Sequence, residues 1–272
     1  MRFDNRVLIR GGGDLATGIA LRLHHAGIKI LITELAQPLA VRRAVSFSEA
    51  VYEGSHKVEE VTARRVEANQ LEEWDEPDEI PVMVDPELQI LKHNQFPVIV
   101  DARLLKANPG PLPLEVPLHI GLGPGFHAGQ NCHAAIETRR SHTLGRVYWN
   151  AATQADSGEP EGDSRRVLRA PYDGIILSRA KIGEHLEEGK LIAEIQLESG
   201  NRRSEIKSPF RGVLRGLIRD GMHVTKGLKI GDVDTRDEAS ACFLVSDKSL
   251  AVGGGVLEAV LTMQDVRRCL YQ

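Results

Sequence analysis

Aromatic residues make up only 4% of this 272-residue chain, so its core must be built from aliphatic side chains. Cysteine is scarce as well. Cys132, Cys242 and Cys269 are widely spaced and odd in number, which makes no disulfide framework and suits a reducing cytoplasm. No C-x-x-C pair occurs, so the usual zinc spacing is missing and no bound metal is expected. No apolar run approaches the roughly 18 residues that cross a bilayer. The sequence opens straight into a strand-like run, so no signal peptide is expected either. A net charge of -4 gives no electrostatic reason to expect nucleic acid or a phospholipid surface as partner. What is present, 42% hydrophobic and 26% charged residues, is the composition of a globular protein with one large domain or two ordinary ones.

The stretch that organises the rest is residues 6–18, RVLIRGGGDLATG. A short apolar run meets three glycines, and a helical pattern follows with Leu15, Ile19, Leu21, Leu23 and Ala26. Strand, glycine turn and helix in that order gather backbone N–H groups and a helix N-terminus at one point, which binds anions. Gly11, Gly13 and Ala16 fit the G-x-G-x-x-G/A spacing of a dinucleotide site, with Gly12 and Asp14 beside them. A second strand ends in Glu34, 21 residues beyond Gly13, where an acid would hold the ribose hydroxyls of NAD. A tight βα turn also favours glycine for its own sake. Asp14 can serve simply as the N-cap, and its charge would repel a pyrophosphate.

Residues 1–150 read as alternating strands and helices, hence a Rossmann-like, doubly wound parallel sheet with helices on both faces. Helices are expected over 38–44 and near 48–52, and a helix or an irregular surface segment around Trp74. Strands are expected over 81–84, 97–101, 118–122 and 145–149. Ligands of such sheets sit beyond the C-terminal strand ends. Gly11–Gly13, Glu34, Asp101, Arg103 and residues 121–125 fall there, although Asp101 and Arg103 equally suit a structural ion pair.

Residues 151–165 lack periodicity and read as a linker. An internal repeat follows over 166–236. Pro171 matches Pro209, Gly174 matches Gly212, Gly183 matches Gly221 and Gly189 matches Gly227, always 38 residues apart. The pairs Leu168/Ile206, Leu186/Val224 and Ile192/Ile230 keep that register. These halves resemble a biotinyl/lipoyl-like domain, a small all-β barrel-sandwich hybrid. In that family's carriers the modified lysine sits on the hairpin between the halves. The corresponding QLESGNRRS, 196–204, holds no lysine, and Lys207 lies inside the second half, so neither biotin nor lipoate is expected. The remaining segment, 237–272, reads as a strand and a helix interrupted by Gly253, Gly254 and Gly255. Either the helix begins only at Val256, or the glycines mark a close approach to a ligand or another segment.

Residues 119–140, HIGLGPGFHAGQNCHAAIETRR, are the richest in chemistry. Gly121, Gly123, Gly125 and Gly129 follow a buried strand, and a helix is expected from Asn131. That places Cys132 in a first helical turn, where the thiolate is favoured. His127, His133 and Glu137 complete a candidate catalytic group, with His133 and Glu137 on one helical face. Cys132 as core packing and His133 as a solvent-facing residue is the alternative.

Together IRGGGDLATGIALRLHHAG, VSFSEAVYEG, VDAR, IGLGPGFHAGQNCHAAIETRR, SPFRGVLRGLIRDG, KIGDVD and SDKSLAVGGGVLEA resemble the YqeB-like proteins of the selenium-dependent molybdenum hydroxylase system. The likeness spans essentially the whole chain. The N-terminal part is similar, more distantly, to xanthine dehydrogenase accessory factors. The resemblance implies a cytoplasmic accessory or maturation factor with a molybdenum hydroxylase as partner. Its Rossmann-like domain would bind a nucleotide, with NAD or a molybdopterin dinucleotide as candidate cofactor. An NAD-dependent oxidoreductase and a non-catalytic scaffold are the alternatives, and a homo-oligomer is left open.

Overall fold

A computed structural model describes residues 2–71, 73–74, 76–112, 115–156, 163–197 and 202–271. The chain divides into two compact units. One comprises Met1–Pro38, Ser46–Ser157 and Val245–Gln272, the other Leu39–Val45 and Gly158–Leu244.

The strands of the first unit are β1 (Arg2–Phe3), β2 (Val7–Arg10), β3 (Ile30–Glu34), β4 (Ser55–Val58), β5 (Val61–Arg65), β6 (Glu79–Val84), β7 (Asn94–Gln95), β8 (Val98–Asp101), β9 (Leu118–Leu122), β10 (Ala134–Ile136) and β11 (Val147–Tyr148). β1 and β7 form a small parallel pair. The others make one sheet in the order β11-β10-β9-β8-β2-β3-β6-β5-β4. Its interior is parallel, while β11 and β4 pair antiparallel at the two edges. The central strands carry apolar side chains on both faces, as a parallel sheet requires: Val7, Leu8 and Ile9 of β2 are fully buried.

Helices α1 (Asp14–His25) and α3 (Asp247–Thr262) pack against each other and against the sheet, so they share one face. The other helices, α2 (Ala50–Glu53) and α4 (Gln264–Leu270), are short. Leu8, Leu31 and Ile99 face the opposite side, where Val66, Leu71, Leu88, Leu91 and Phe96 cover them from irregular chain and a 3-10 turn. The doubly wound expectation is therefore corrected: helices line one face, and the sheet is mixed. The segment 66–96 is too interrupted by turns and prolines for a covering helix, and at Trp74 the chain is irregular, the second of the two expected alternatives.

The helix expected over 38–44 is likewise replaced by a 3-10 turn, Arg43–Val45. This stretch belongs to the second unit, where Arg43 Nε donates to the Leu217 carbonyl at 2.8 Å. The expected linker is corrected in part. Ala152 bridges to His127, and the Thr153 hydroxyl donates to the Gly123 carbonyl at 2.8 Å, so 151–156 is tied to the first unit. The rest of it, 157–162, lies outside the described residues.

α3 runs without a break through Gly253–Gly255, which corrects a start at Val256. By length and composition Ala239–Thr262 would pass for a membrane-crossing helix. Its helical part instead buries Val252, Val256, Ala259 and Val260 inside the first unit.

The second unit holds β12 (Val167–Arg169), β13 (Gly174–Ser178), β14 (His185–Leu186), β15 (Leu191–Leu197), β16 (Arg203–Lys207), β17 (Gly212–Leu217), β18 (His223–Val224) and β19 (Lys229–Asp234). They form two four-stranded antiparallel sheets, β12-β19-β17-β14 and β16-β15-β13-β18. Shifting each strand by the repeat offset converts one order into the other. Gly174 and Gly212 hold matching places: a side chain on either would strike the backbone of the neighbouring strand, at Gln196 and Asp234 respectively. The architecture is thus mixed α/β, a large mixed sheet with separate antiparallel sheets, in place of the expected Rossmann-plus-barrel-sandwich pair. Of the hairpin 196–204, residues 198–201 lie outside the described residues.

Candidate functional site

The first glycine turn joins β2 to α1 at the C-terminal end of the sheet. Gly11 is left-handed (φ 97°), and a side chain there would touch Ala102 and Arg103 from the end of β8. Gly12 backs onto Ser48, whose N–H donates to the Gly12 carbonyl at 2.9 Å. Gly13 is the N-cap of α1 and faces open space, and no side chain caps that first turn. Asp14 is the first helical residue, not the N-cap.

Glu34, expected at a ribose, reaches back to this turn. Its carboxylate accepts the Gly12 N–H at 2.6 Å and the Leu35 N–H at 2.7 Å. Burial pushes this carboxyl up from its ordinary value, against the pull of the two N–H groups. The turn therefore already binds a carboxylate, one supplied by the chain itself.

Asp101, at the end of β8, is only 2% exposed. Arg103 grips it through two bonds, Nε to Oδ1 at 2.9 Å and Nη2 to Oδ2 at 2.6 Å. Arg10, at the end of β2, lies 3.9 Å from the same carboxylate and donates to the Pro86 carbonyl at 2.8 Å. Its Nε is buried with no hydrogen-bond partner. Burial and the neighbouring Arg103 push the Arg10 guanidinium down. Besides Asp101, the carboxylates of Glu87 and Asp85 act on Arg10, so this edge is a cluster of mixed charge. Arg10 escaped the sequence reading because it looked like the last residue of a strand.

The second glycine loop is built differently from expectation. No helix starts at Asn131; residues 134–136 form β10, parallel to β9. Asn131 spends its amide on the loop itself. Its Oδ1 accepts the His127 N–H at 2.9 Å, and its Nδ2 donates to Asn108 Oδ1 at 2.7 Å and to the Gly125 carbonyl at 3.0 Å. The glycines are packing positions. Gly121 lies against the Phe126 ring, Gly125 against the Leu105 and Ala107 carbonyls, and Gly123 takes a left-handed turn (φ 97°) beside Leu104.

The four residues expected to be catalytic are not one group. His127 serves the loop through its backbone. Glu137 is buried on three backbone N–H groups, those of Thr138, Arg139 and Gln154, at 2.8–2.9 Å. His133 is exposed and pinned to β9, its Nδ1 accepting the His119 N–H at 2.9 Å. Cys132 is 7% exposed, and burial pushes its thiol up to about 11, with one opposing hydrogen bond from the Gly121 backbone. Without a helix dipole and with this burial, the thiolate expectation is corrected to a neutral thiol. At neutral pH iodoacetamide should accordingly label the partly exposed Cys269 before Cys132. Faster labelling of Cys132, followed by peptide mass mapping, would restore the nucleophile.

His119, on β9, was missed. It is 4% exposed, its Nε2 has no partner, and burial pushes the ring down to about 4, so it is neutral at physiological pH. The residue pattern concealed it, because a histidine inside an apolar strand looks like filler. Among the described residues no group of three or more His, Cys, Asp or Glu side chains is placed to hold a metal ion.

No family model matches the chain. It is 44% identical over 262 residues to the uncharacterized protein YqeB of Escherichia coli (strain K12), a match that covers 94% of this chain and 47% of YqeB. The chain thus spans about half the length of this relative. The likeness supports the YqeB-like family but carries no link to selenium or to a molybdenum hydroxylase. Among solved structures it is similar to an aspartoacylase family protein from Mesorhizobium loti MAFF303099, with TM-score 0.28, 12% identity and coverage of 85% and 86% of the two chains. The apo ectoine utilization protein EutE (DoeB) of Ruegeria pomeroyi gives TM-score 0.28, 9% identity and coverage of 86% and 87%. A succinylglutamate desuccinylase from Silicibacter sp. TM1040 gives 0.27, 10%, and 85% and 86%. None of these names a molybdenum hydroxylase. The expected accessory role and the expected hydroxylase partner are withdrawn: the relative YqeB is itself uncharacterized and names neither, and Cys132 is a buried, neutral thiol.

Proposed function

We propose that this chain is a small-molecule binding module that takes an anionic ligand at the C-terminal edge of the parallel sheet, between the glycine turn and the Asp101–Arg103 corner. The observation that carries this is the placing of Arg10 and Arg103 on either side of the buried Asp101, beside a helix N-terminus capped only by Gly13. The open space at Gly13 gives a phosphate or carboxylate room to approach. The bond from Gly12 to Glu34 supports the same chemistry, since the turn accepts a carboxylate there. NAD and a molybdopterin dinucleotide are the cofactors to try first, and their pyrophosphate is the shared group. Three free cysteines fit a cytoplasmic setting.

Calorimetric titration with inorganic pyrophosphate and with NAD tests the reading. Glu34→Gln removes the competing negative charge and should tighten pyrophosphate binding severalfold. Arg103→Gln should weaken it by about tenfold, the worth of one charge-assisted hydrogen bond at a partly buried site. A parent protein that binds neither, or an Arg103→Gln variant with unchanged affinity and an unchanged melting curve, would remove the site.

A further inference from the structure

Residues 35–47 form a strap whose two ends are fastened at the first glycine turn and whose middle belongs to the second unit. The chain leaves the first unit after Pro38 and re-enters it at Ser46. On the departing side, Glu34 holds the Gly12 N–H at 2.6 Å. On the returning side, the Ser48 N–H donates to the Gly12 carbonyl at 2.9 Å. The Phe47 N–H donates to Thr17 Oγ1 at 2.9 Å, and that hydroxyl donates to the Gly13 carbonyl at 3.0 Å. The Tyr52 hydroxyl, from the helix that follows the returning arm, donates to the Pro38 carbonyl at 2.9 Å and ties the two arms together.

The middle of the strap is gripped by other groups. Val41 lies against β17, where a Cβ on Gly216 would come within 2.8 Å of the Val41 carbonyl oxygen. One residue further along β17, the Leu217 carbonyl accepts Arg43 Nε at 2.8 Å. Arg42 Nη2 donates at 3.2 Å to the carbonyl of Leu244, the last residue of the second unit. The Val45 N–H closes the 3-10 turn on the Arg42 carbonyl at 3.1 Å, and Val45 is fully buried. Only Leu35–Pro38 separate Glu34 from this grip, and proline stiffens that short span, so little slack is available to absorb a movement of Glu34.

We propose that the strap couples the glycine turn to the second unit: a ligand anion that takes the Gly12 N–H displaces Glu34 and loosens residues 39–45 on β17. The inference rests on the anion site proposed above. Glu34 is the two-state element, because the single Gly12 N–H serves either its carboxylate or the ligand. Linkage makes the coupling reciprocal. Whatever loosens 39–45 also weakens the hold of Glu34 on Gly12, and so favours the ligand.

Amide hydrogen exchange on the full chain tests this, with the Val45 and Gly12 N–H groups as reporters and the amides of β15 as the control. Glu34→Ala should speed exchange at Val45 by about tenfold, the loss of one hydrogen bond to a charged acceptor, and leave β15 at the parent's rate. Arg43→Ala acts from the far end, and keeps the test open should Glu34→Ala fail to fold. It should speed exchange at Gly12 severalfold. In the parent chain, saturating inorganic pyrophosphate should reproduce the effect at Val45. An unchanged Val45 in Glu34→Ala, an unchanged Gly12 in Arg43→Ala, or equal acceleration of β15 would each overturn the coupling. Pyrophosphate that binds by calorimetry yet leaves Val45 at its parent rate would overturn it too, while sparing the anion site. Pyrophosphate that does not bind at all would remove the anion site and the coupling together.

Discussion

A Gly253→Leu chain should lose about 3 kcal/mol of stability or more, because α3 has no room for a side chain at that point. A Cβ on Gly253 would lie 2.7 Å from the Gly18 carbonyl oxygen and 2.9 Å from Arg22 Cγ, both on α1. The reverse approach is as close: a Cβ on Gly18 would lie 2.6 Å from Ser249 Cβ and 2.8 Å from its carbonyl oxygen. Here the two helices meet backbone to backbone. Leucine would gain about 0.8 kcal/mol in helix propensity over glycine, too little to offset prising the helices apart. Gly254 is the internal control. Nothing lies within 4 Å of its missing Cβ, so Gly254→Ala should raise stability by about 0.5–1 kcal/mol. Urea denaturation of the two variants checks both signs. A Gly253→Leu chain as stable as the parent would show that α1 and α3 do not pack at this distance.

These glycines show where the sequence was legible and where it was not. Three in a row marked a problem in the helical pattern, and contact with another segment was one of two answers left open. Choosing between them required knowing that Gly18 lies opposite, more than two hundred positions away, which no local pattern encodes. The strands over 81–84, 97–101 and 118–122 were legible because each is a short apolar run closed by a turn signal. The repeat was legible because its offset never slips. The helix expected at Asn131 failed for a definable reason. Asn131 has the right side chain for an N-cap, but its amide is engaged by His127, Asn108 and Gly125, while Ala134–Ile136 find a parallel partner in β9. Tertiary pairing overrode local propensity there. The error then carried over to Cys132, whose reactivity rested on the missing helix.

Glu137 is the residue whose loss should separate a structural role from a catalytic one. It is 1% exposed, and its two carboxylate oxygens are spent on the chain. One accepts from Thr138 and Arg139, at 2.9 and 2.8 Å, and the other from Gln154, at 2.8 Å. The first two bonds fix the exit from β10. The third fastens residue 154, next to Thr153, whose hydroxyl holds the Gly123 carbonyl of the second glycine loop. Hydrogen bonds to a charged acceptor contribute about 1.5–3 kcal/mol each, and bonds that share one carboxylate do not add fully. Glu137→Ala should therefore cost about 3–5 kcal/mol, by taking the acceptor from three backbone donors, that of Thr138 fully buried. Glu137→Gln keeps one acceptor oxygen and turns an NH2 toward the remaining donor, so its loss should be intermediate. Chemical denaturation gives the order, and hydrogen exchange gives the place: the amides of Thr138, Arg139 and Gln154 should lose protection first. A Glu137→Ala chain with the parent's stability and protection would return Glu137 to the list of candidate catalytic groups, since its carboxylate would then be holding nothing together.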